Sequence, residues 1–295
     1  MIPQKTPNKV LVLGGKQGLL GQCLMTALEQ ENIPAVAVSS FEVDLFSPDA
    51  VGALLDREEP DLVCNTMAYT QVDQAEDDSE NAYRLNKRLP AVLAAQIKSR
   101  GALLAHYSTD FVFDGASNRP YTTQDEPNPQ SVYGQSKLAG EQAILDSGLE
   151  KFLIIRTAWL FGPWKTNFVR KMLDLAAQKD SLSVIHDQTG SPTYTKDLAE
   201  NSIRLFSSGR LGLFHLVNAG KATWCELAQE AVRIAGLDCR IDPIPSSSYP
   251  QKAKRPAYSV LDTSRFTEAT GLTPRSWDQA LRDYVFLDLE SALDG

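Results

Sequence analysis

The chain is poor in the features that commit a protein to metal, disulfide or membrane chemistry. Its four cysteines, Cys23, Cys64, Cys225 and Cys239, are scattered without a C-x-x-C pair. Two lie inside apolar stretches, so all four read as reduced structural thiols. Lys5 and Lys9 precede only the apolar run Val10 to Leu13, too short for a signal-peptide core, and no other apolar run approaches a membrane span. Positive charge is also in deficit, with 29 Lys and Arg against 37 Asp and Glu and a net charge of -8. That balance disfavours non-specific binding to nucleic acid or an anionic membrane, and any phosphate-bearing ligand must find a local positive site. Internal repeats and low-complexity segments are missing too. The composition points to a soluble, cytoplasmic protein whose 295 residues bury a large core without metal or disulfide.

What is present is an alternation of apolar strands with amphipathic helices. Val10 to Leu13 is a continuous apolar run, as expected of a buried parallel strand, and it feeds Gly14-Gly15-Lys16-Gln17-Gly18-Leu19-Leu20-Gly21 and a helical stretch to about Gln30. Gly15, Gly18 and Gly21 make a G-x-x-G-x-x-G turn, a variant of the dinucleotide fingerprint in its strand, turn and helix context. Such glycines admit a pyrophosphate to the backbone, and the helix N-terminus supplies N–H groups to the anion. Further strands are expected at Ala35 to Val38, Asp61 to Asn65, Ala102 to Tyr107 and Phe152 to Arg156, which together predict a doubly wound, Rossmann-like α/β sheet. Ser39-Ser40 stands where an NAD-selective site usually places an acid; serine would not repel a 2′-phosphate, and Lys16 is placed to reach one. The pattern favours NADPH and leaves NADH open.

Ligands of open parallel sheets sit at the carboxyl ends of the strands. Asp44-Leu45, Met67-Ala68-Tyr69 and Ser108-Thr109-Asp110 are therefore candidate site residues, with Thr109 placed to bond a carbonyl oxygen. The Gly-, Pro- and Asn-rich stretch 114–130 reads as a functional loop. Tyr133 and Lys137 follow it four residues apart, so they share a helix face. A neighbouring ammonium favours the phenolate and would lower the tyrosine pKa from its usual value of about 10. Beyond residue 157 the elements shorten and prolines accumulate, as expected of a smaller, less regular lobe. There, Asp187 to Thr193 reads as a turn-rich loop.

The glycine turn, the Tyr133-x-x-x-Lys137 pair and upstream Ser108-Thr109 together resemble an extended short-chain dehydrogenase/reductase. More narrowly the chain resembles the dTDP-4-dehydrorhamnose reductase family. That likeness is carried by Gly15 to Gly18, His106 to Phe113, Val132 to Glu141, Arg156 to Trp159, Asn167-Phe168, Asp187 to Thr193 and Arg255-Pro256. The resemblance implies an NAD(P)-binding domain over 1–157, to which the chain returns around 183–222, and a mainly nucleotide-sugar-binding domain over 158–295. It implies Thr109, Tyr133 and Lys137 as the catalytic set and a dTDP-keto-sugar as substrate. A sugar pocket would contain Thr109, Asp110, Trp159, Asn167 and Arg255.

Some members bind magnesium at a dimer interface through a glutamate two positions after the third glycine. Cys23 stands there, and Lys196 stands where another acidic ligand would be expected. The expectation is a metal-independent monomer or weak homodimer. Related dehydratases carry glutamate directly after the Thr-Asp pair, where this chain has Phe111, so elimination of water lacks its acid. An epimerase, and a noncatalytic NADP-binding subunit like the regulatory subunit of methionine adenosyltransferase, are the remaining alternatives.

Overall fold

The computed structural model describes residues 6–289. Its organising feature is a six-stranded parallel sheet. In the first half, the chain runs β1 (Val10–Leu13), α1 (Leu19–Gln30), β2 (Ala35–Val38), α2 (Pro48–Glu58) and β3 (Leu62–Asn65). Two short helices, α3 (Val72–Ala75) and α4 (Ser79–Tyr83), and a π-helical turn then lead into α5 (Leu89–Lys98). There follow β4 (Leu103–Thr109), α6 (Val132–Asp146) and β5 (Phe152–Thr157).

The second half holds β6 (Leu160–Phe161), α7 (Phe168–Ala176), β7 (Ser181–Ile185), β8 (Thr189–Gly190), β9 (Thr193–Tyr194) and α8 (Thr195–Ser207). It continues through β10 (Gly212–His215), β11 (Ala222–Thr223), α9 (Trp224–Ile234), β12 (Arg240–Ile244), α10 (Ser264–Thr270) and α11 (Trp277–Asp283). The large sheet has the order β10-β5-β4-β3-β1-β2, so β1 lies between β2 and β3 and the winding reverses there. That reversal opens a crevice at the strand ends, where doubly wound sheets take their ligands.

The central strands are buried on both faces, which is why they read as unbroken apolar runs rather than alternating ones. One face is filled by α1 and α8, whose Leu24, Leu28, Leu198 and Ile203 join Val10 and Cys64 in a single core. The other is filled from α2, α5 and α6 by Leu54, Leu93, Ile97 and Ile144. A second core gathers Val169, Leu173, Val184, Ala228, Val232 and Leu281 around the small parallel pair β7 and β12. Asp187 to Thr193 is more ordered than a loop, since β8 pairs with β11 and β9 with β6. Strands of two residues leave no periodicity to read.

Helix α6 departs from the amphipathic pattern, for Ser136, Lys137 and Glu141 are all buried. Each has a partner that offsets its desolvation. The helix also seats closely. A Cβ on Gly140 would lie 2.0 Å from the Asn86 carbonyl oxygen, and one on Gly134 would lie 2.3 Å from that of Phe111.

Candidate active site

A cleft of about 690 Å³ lies at the carboxyl ends of β1, β3, β4 and β5 and reaches into the second lobe. Of the residues singled out from the sequence, Gln17, Gly18, Leu19, Leu20, Ser39, Met67 and Ala68 line its cofactor-side wall. Thr109, Asp110, Tyr133, Lys137, Trp159, Asn167 and Arg255 line the remainder. Five lie off it, each for a physical reason. A Cβ on Gly15 would sit 2.9 Å from Ala37 Cβ, so that glycine serves the packing of the turn on the sheet. Lys16 is held by Glu42 at 2.5 Å. Asp44 accepts from the Phe46 N–H in a tight turn, and Leu45 is buried in the core. The Tyr69 hydroxyl donates to Asp78 at 3.1 Å.

Glu42 also accepts the Ser39 N–H and hydroxyl at 2.9 and 3.0 Å, and these contacts, Lys16 foremost, hold its carboxyl down to about 2. A carboxylate therefore does stand beside the end of β2, two to three residues later than the usual position, because the chain turns back there. Sequence spacing alone hid it. Gly14 was missed as well. Its φ of +85° is open to glycine at little cost, and a Cβ there would meet Thr66 Oγ1 at 2.7 Å. The third glycine of the turn is equally constrained, since a Cβ on Gly21 would lie 2.3 Å from the Gly14 carbonyl oxygen.

Ser131 caps α6 by accepting the Gly134 N–H at 3.2 Å, which fixes the helix start two residues before Tyr133. The Tyr133 ring stands edge-on to Phe111 with centroids 5.5 Å apart, and Thr109 lies near enough to its hydroxyl to favour the phenolate. Lys137, one turn on, is 1% exposed and donates to the Tyr107 carbonyl at 2.6 Å. The expectation that Lys137 lowers the Tyr133 pKa does not hold in this arrangement. Burial pushes the phenol up to about 12, a rise opposed by the nearby Thr109 hydroxyl and aided by Asp110. The Lys137 ammonium is itself pulled down to about 8 by desolvation, with Glu141 opposing.

Asp110 is buried and pushed up to about 6 by desolvation, against hydrogen bonds from Ser259 at 2.5 Å and Thr109 at 3.1 Å. Beneath the pair, Glu141 accepts a hydrogen bond from Ser108 and a bidentate fork from Arg156 at 3.0 and 2.6 Å. A tyrosine that keeps its proton at neutral pH, beside a hydroxyl able to bond the same oxygen, is equipped to protonate a developing alkoxide.

At the far wall Trp159 stacks on Trp224, with centroids 3.5 Å apart and planes within 5°. Asn167 lines the cleft, but its amide is spent on structure: Oδ1 caps α7 through the Arg170 N–H, and Nδ2 donates to Gly162, Lys165 and Tyr284. Trp224, which supplies half of the aromatic wall, carried no motif in the sequence. Among the described residues no group of three or more His, Cys, Asp or Glu is placed to hold a metal ion. At the two positions noted for magnesium, the Cys23 thiol donates to Thr195 and Lys196 pairs with Asp288. No described helix is long and apolar enough to cross a membrane.

A dinucleotide fits the near wall, where the Gly14 to Gly18 turn, the N-terminus of α1 and Ser39 border one crevice and Lys137 closes its inner end. Comparison with known proteins agrees. The family model described as the RmlD substrate binding domain matches residues 8–288. The chain is 40% identical to a dTDP-4-keto-6-deoxy-D-glucose reductase of Streptomyces niveus, over 90% of this chain and 93% of the relative. It is 37% identical to a dTDP-4-dehydrorhamnose reductase of Streptomyces griseus, over 94% and 93%. The crystal structure of a dTDP-4-dehydrorhamnose reductase from Bacillus anthracis in complex with NADP superposes with a TM-score of 0.91 at 30% identity, covering 94% of this chain and 98% of that one. By fold, cleft and sequence, this chain belongs to the RmlD family of dTDP-sugar reductases.

Proposed function

We propose that the chain is a dTDP-4-dehydrorhamnose reductase, which reduces the C4 ketone of dTDP-6-deoxy-L-lyxo-4-hexulose to dTDP-L-rhamnose with NADPH or NADH. The observation that carries this reading is the meeting of Tyr133, Thr109 and Lys137 at the inner end of the dinucleotide crevice. Held along the Gly14 to Gly18 turn and Ser39, a bound nicotinamide cofactor would supply the hydride that C4 accepts. Tyr133 gives the alkoxide oxygen a proton, Thr109 bonds that oxygen, and Lys137 orients the ribose beside it. Residues 1–157, with the returning segment 183–222, hold the cofactor, and the remainder of 158–295 mainly holds the sugar nucleotide. In that half Trp159 lines the sugar site, Arg255 offers it polar contacts and Asn167 acts through the loop it ties down, while Asp110 reaches the sugar from the end of β4.

A second sugar is favoured by the Streptomyces niveus relative, whose name specifies a dTDP-4-keto-6-deoxy-D-glucose substrate. One assay separates the two readings. dTDP-glucose is supplied with a 4,6-dehydratase, with and without a 3,5-epimerase, and NADPH and NADH oxidation are followed separately. Turnover that needs the epimerase assigns the rhamnose-forming reaction, whereas turnover without it assigns the other ketone. Absence of both, with tight capture of another protein, would return the noncatalytic reading.

The protein works in the cytoplasm as a monomer or weak homodimer without a bridging metal. The Lys196 to Asp288 pair supports this, because an ammonium already neutralises that carboxylate. A magnesium-dependent dimer in sedimentation, or activity lost to EDTA, would refute it.

A further inference from the structure

The segment between Pro250 and Pro256 crosses from the second lobe to the cofactor domain and is tied there at one carboxylate. Asp73, on the short helix α3, accepts the Lys252 and Ala253 N–H groups at 3.1 and 3.0 Å. It also accepts Nη1 and Nη2 of Arg255, both at 2.9 Å. Four donors from one strap thus converge on a single side chain about 180 residues away in sequence. A second tie, between Lys252 and Asp77, lies further out in solvent.

A guanidinium carries five N–H donors arranged along two bidentate edges. Asp73 occupies the Nη1/Nη2 edge, and Nη1 also donates to the Ala253 carbonyl at 3.2 Å. The Nε/Nη2 edge keeps donors with no partner among the described residues, and Arg255 lines the cleft together with Val72, the neighbour of Asp73. In a chain with a net charge of -8, a guanidinium edge with free donors is a group of the kind that phosphate oxygens bond.

We propose that Asp73 is a positioning residue for the sugar nucleotide: by holding the strap and one edge of Arg255, it presents the other edge to phosphate oxygens of the substrate. The inference rests on the reductase reading. Asp73 sits behind the guanidinium and stays ionised at any ordinary pH, because the Arg255 fork holds its carboxyl down to about 2.

Asp73→Asn tests this, since the amide sets an NH2 group against donors where the carboxylate had an acceptor, while volume is unchanged. The probes are dTDP and NADPH titrated separately, with keto-sugar KM and kcat measured alongside. The expected result is a dTDP Kd and a keto-sugar KM each raised about tenfold, with kcat within threefold and the NADPH Kd within twofold of wild type. Asp73→Glu, which keeps the charge and the fork, recovers part of the loss. Asp77→Asn, which cuts only the outer tie, leaves dTDP binding unchanged.

An unchanged dTDP Kd in Asp73→Asn overturns the proposal. So does a loss shared equally by dTDP, NADPH and Tm, which would make Asp73 a fold residue only. A loss confined to NADPH would assign the free edge to the cofactor and overturns it as well. Wild-type turnover is the separate control. If the keto-sugar is not reduced while dTDP still binds, the reaction is wrong and the Asp73 titration remains decisive on its own.

Discussion

Replacing Tyr133 with phenylalanine removes one oxygen and leaves the rest of the site in place. The ring keeps its edge-on contact with Phe111 at 5.5 Å, and α6 keeps its Ser131 cap. Thr109 keeps Asp110 and the Phe111 N–H as partners, so no buried group is orphaned. The stability cost is therefore at most that of one hydrogen bond, about 0.5 to 1.5 kcal/mol. The catalytic cost is larger, because the phenol is the group proposed to give the alkoxide its proton. Positioned proton donors contribute about 10² to 10⁴ in rate, equivalent to about 3 to 5 kcal/mol of barrier. Tyr133→Phe should thus lose at least a hundredfold in kcat for the keto-sugar while its NADPH Kd and urea midpoint stay close to wild type. Turnover within tenfold of wild type would refute the assignment of Tyr133 as proton donor. A loss matched by failure to bind NADPH would show that the hydroxyl serves the fold or the cofactor instead.

The pH dependence of kcat/KM should fall on the alkaline side near pH 8, as the free enzyme loses the Lys137 proton. No phenol limb is expected there, since Tyr133 is pushed up to about 12. Lys137→Met should abolish the limb along with most of the activity. The same shift predicts a stability change of fixed sign. Between about 8 and the ordinary 10.5 the unfolded chain binds a proton that native Lys137 has released, so unfolding free energy contributed by this group rises with pH across that window, as urea titration at several pH values would register. Glu141→Gln should leave the Arg156 guanidinium, 3% exposed and with Nη1 already lacking a partner among the described residues, without its counter-charge. Breaking a buried pair in this way costs about 3 to 5 kcal/mol, and a urea-derived loss below about 1 kcal/mol would show that the network relaxes instead.

Much of the scaffold was legible because its signals are local. A strand core buried on both faces must be apolar, so Val10 to Leu13 and Phe152 to Ile155 announced themselves. The glycine turn was equally plain, because the approach of α1 to the Gly14 carbonyl leaves no room for a Cβ at Gly21. The Tyr133 and Lys137 spacing placed both on α6. From these the sequence by itself determined the doubly wound sheet, the crevice at its switch point and the residue types of a ketone reductase.

Tertiary structure decided how the charges are spent, because ion pairing depends on distances that spacing does not encode. It set Glu42 on Lys16 and Ser39, where the sequence suggested an acid-free ribose site. It turned Lys137 toward the Tyr107 carbonyl, so that burial rather than the ammonium governs the Tyr133 phenol. It committed the Asn167 amide to the loop and brought Trp224 onto Trp159. And it joined Asp73 to Arg255 across 182 residues of chain, a contact without any local signal because neither residue helps to form the element that carries the other.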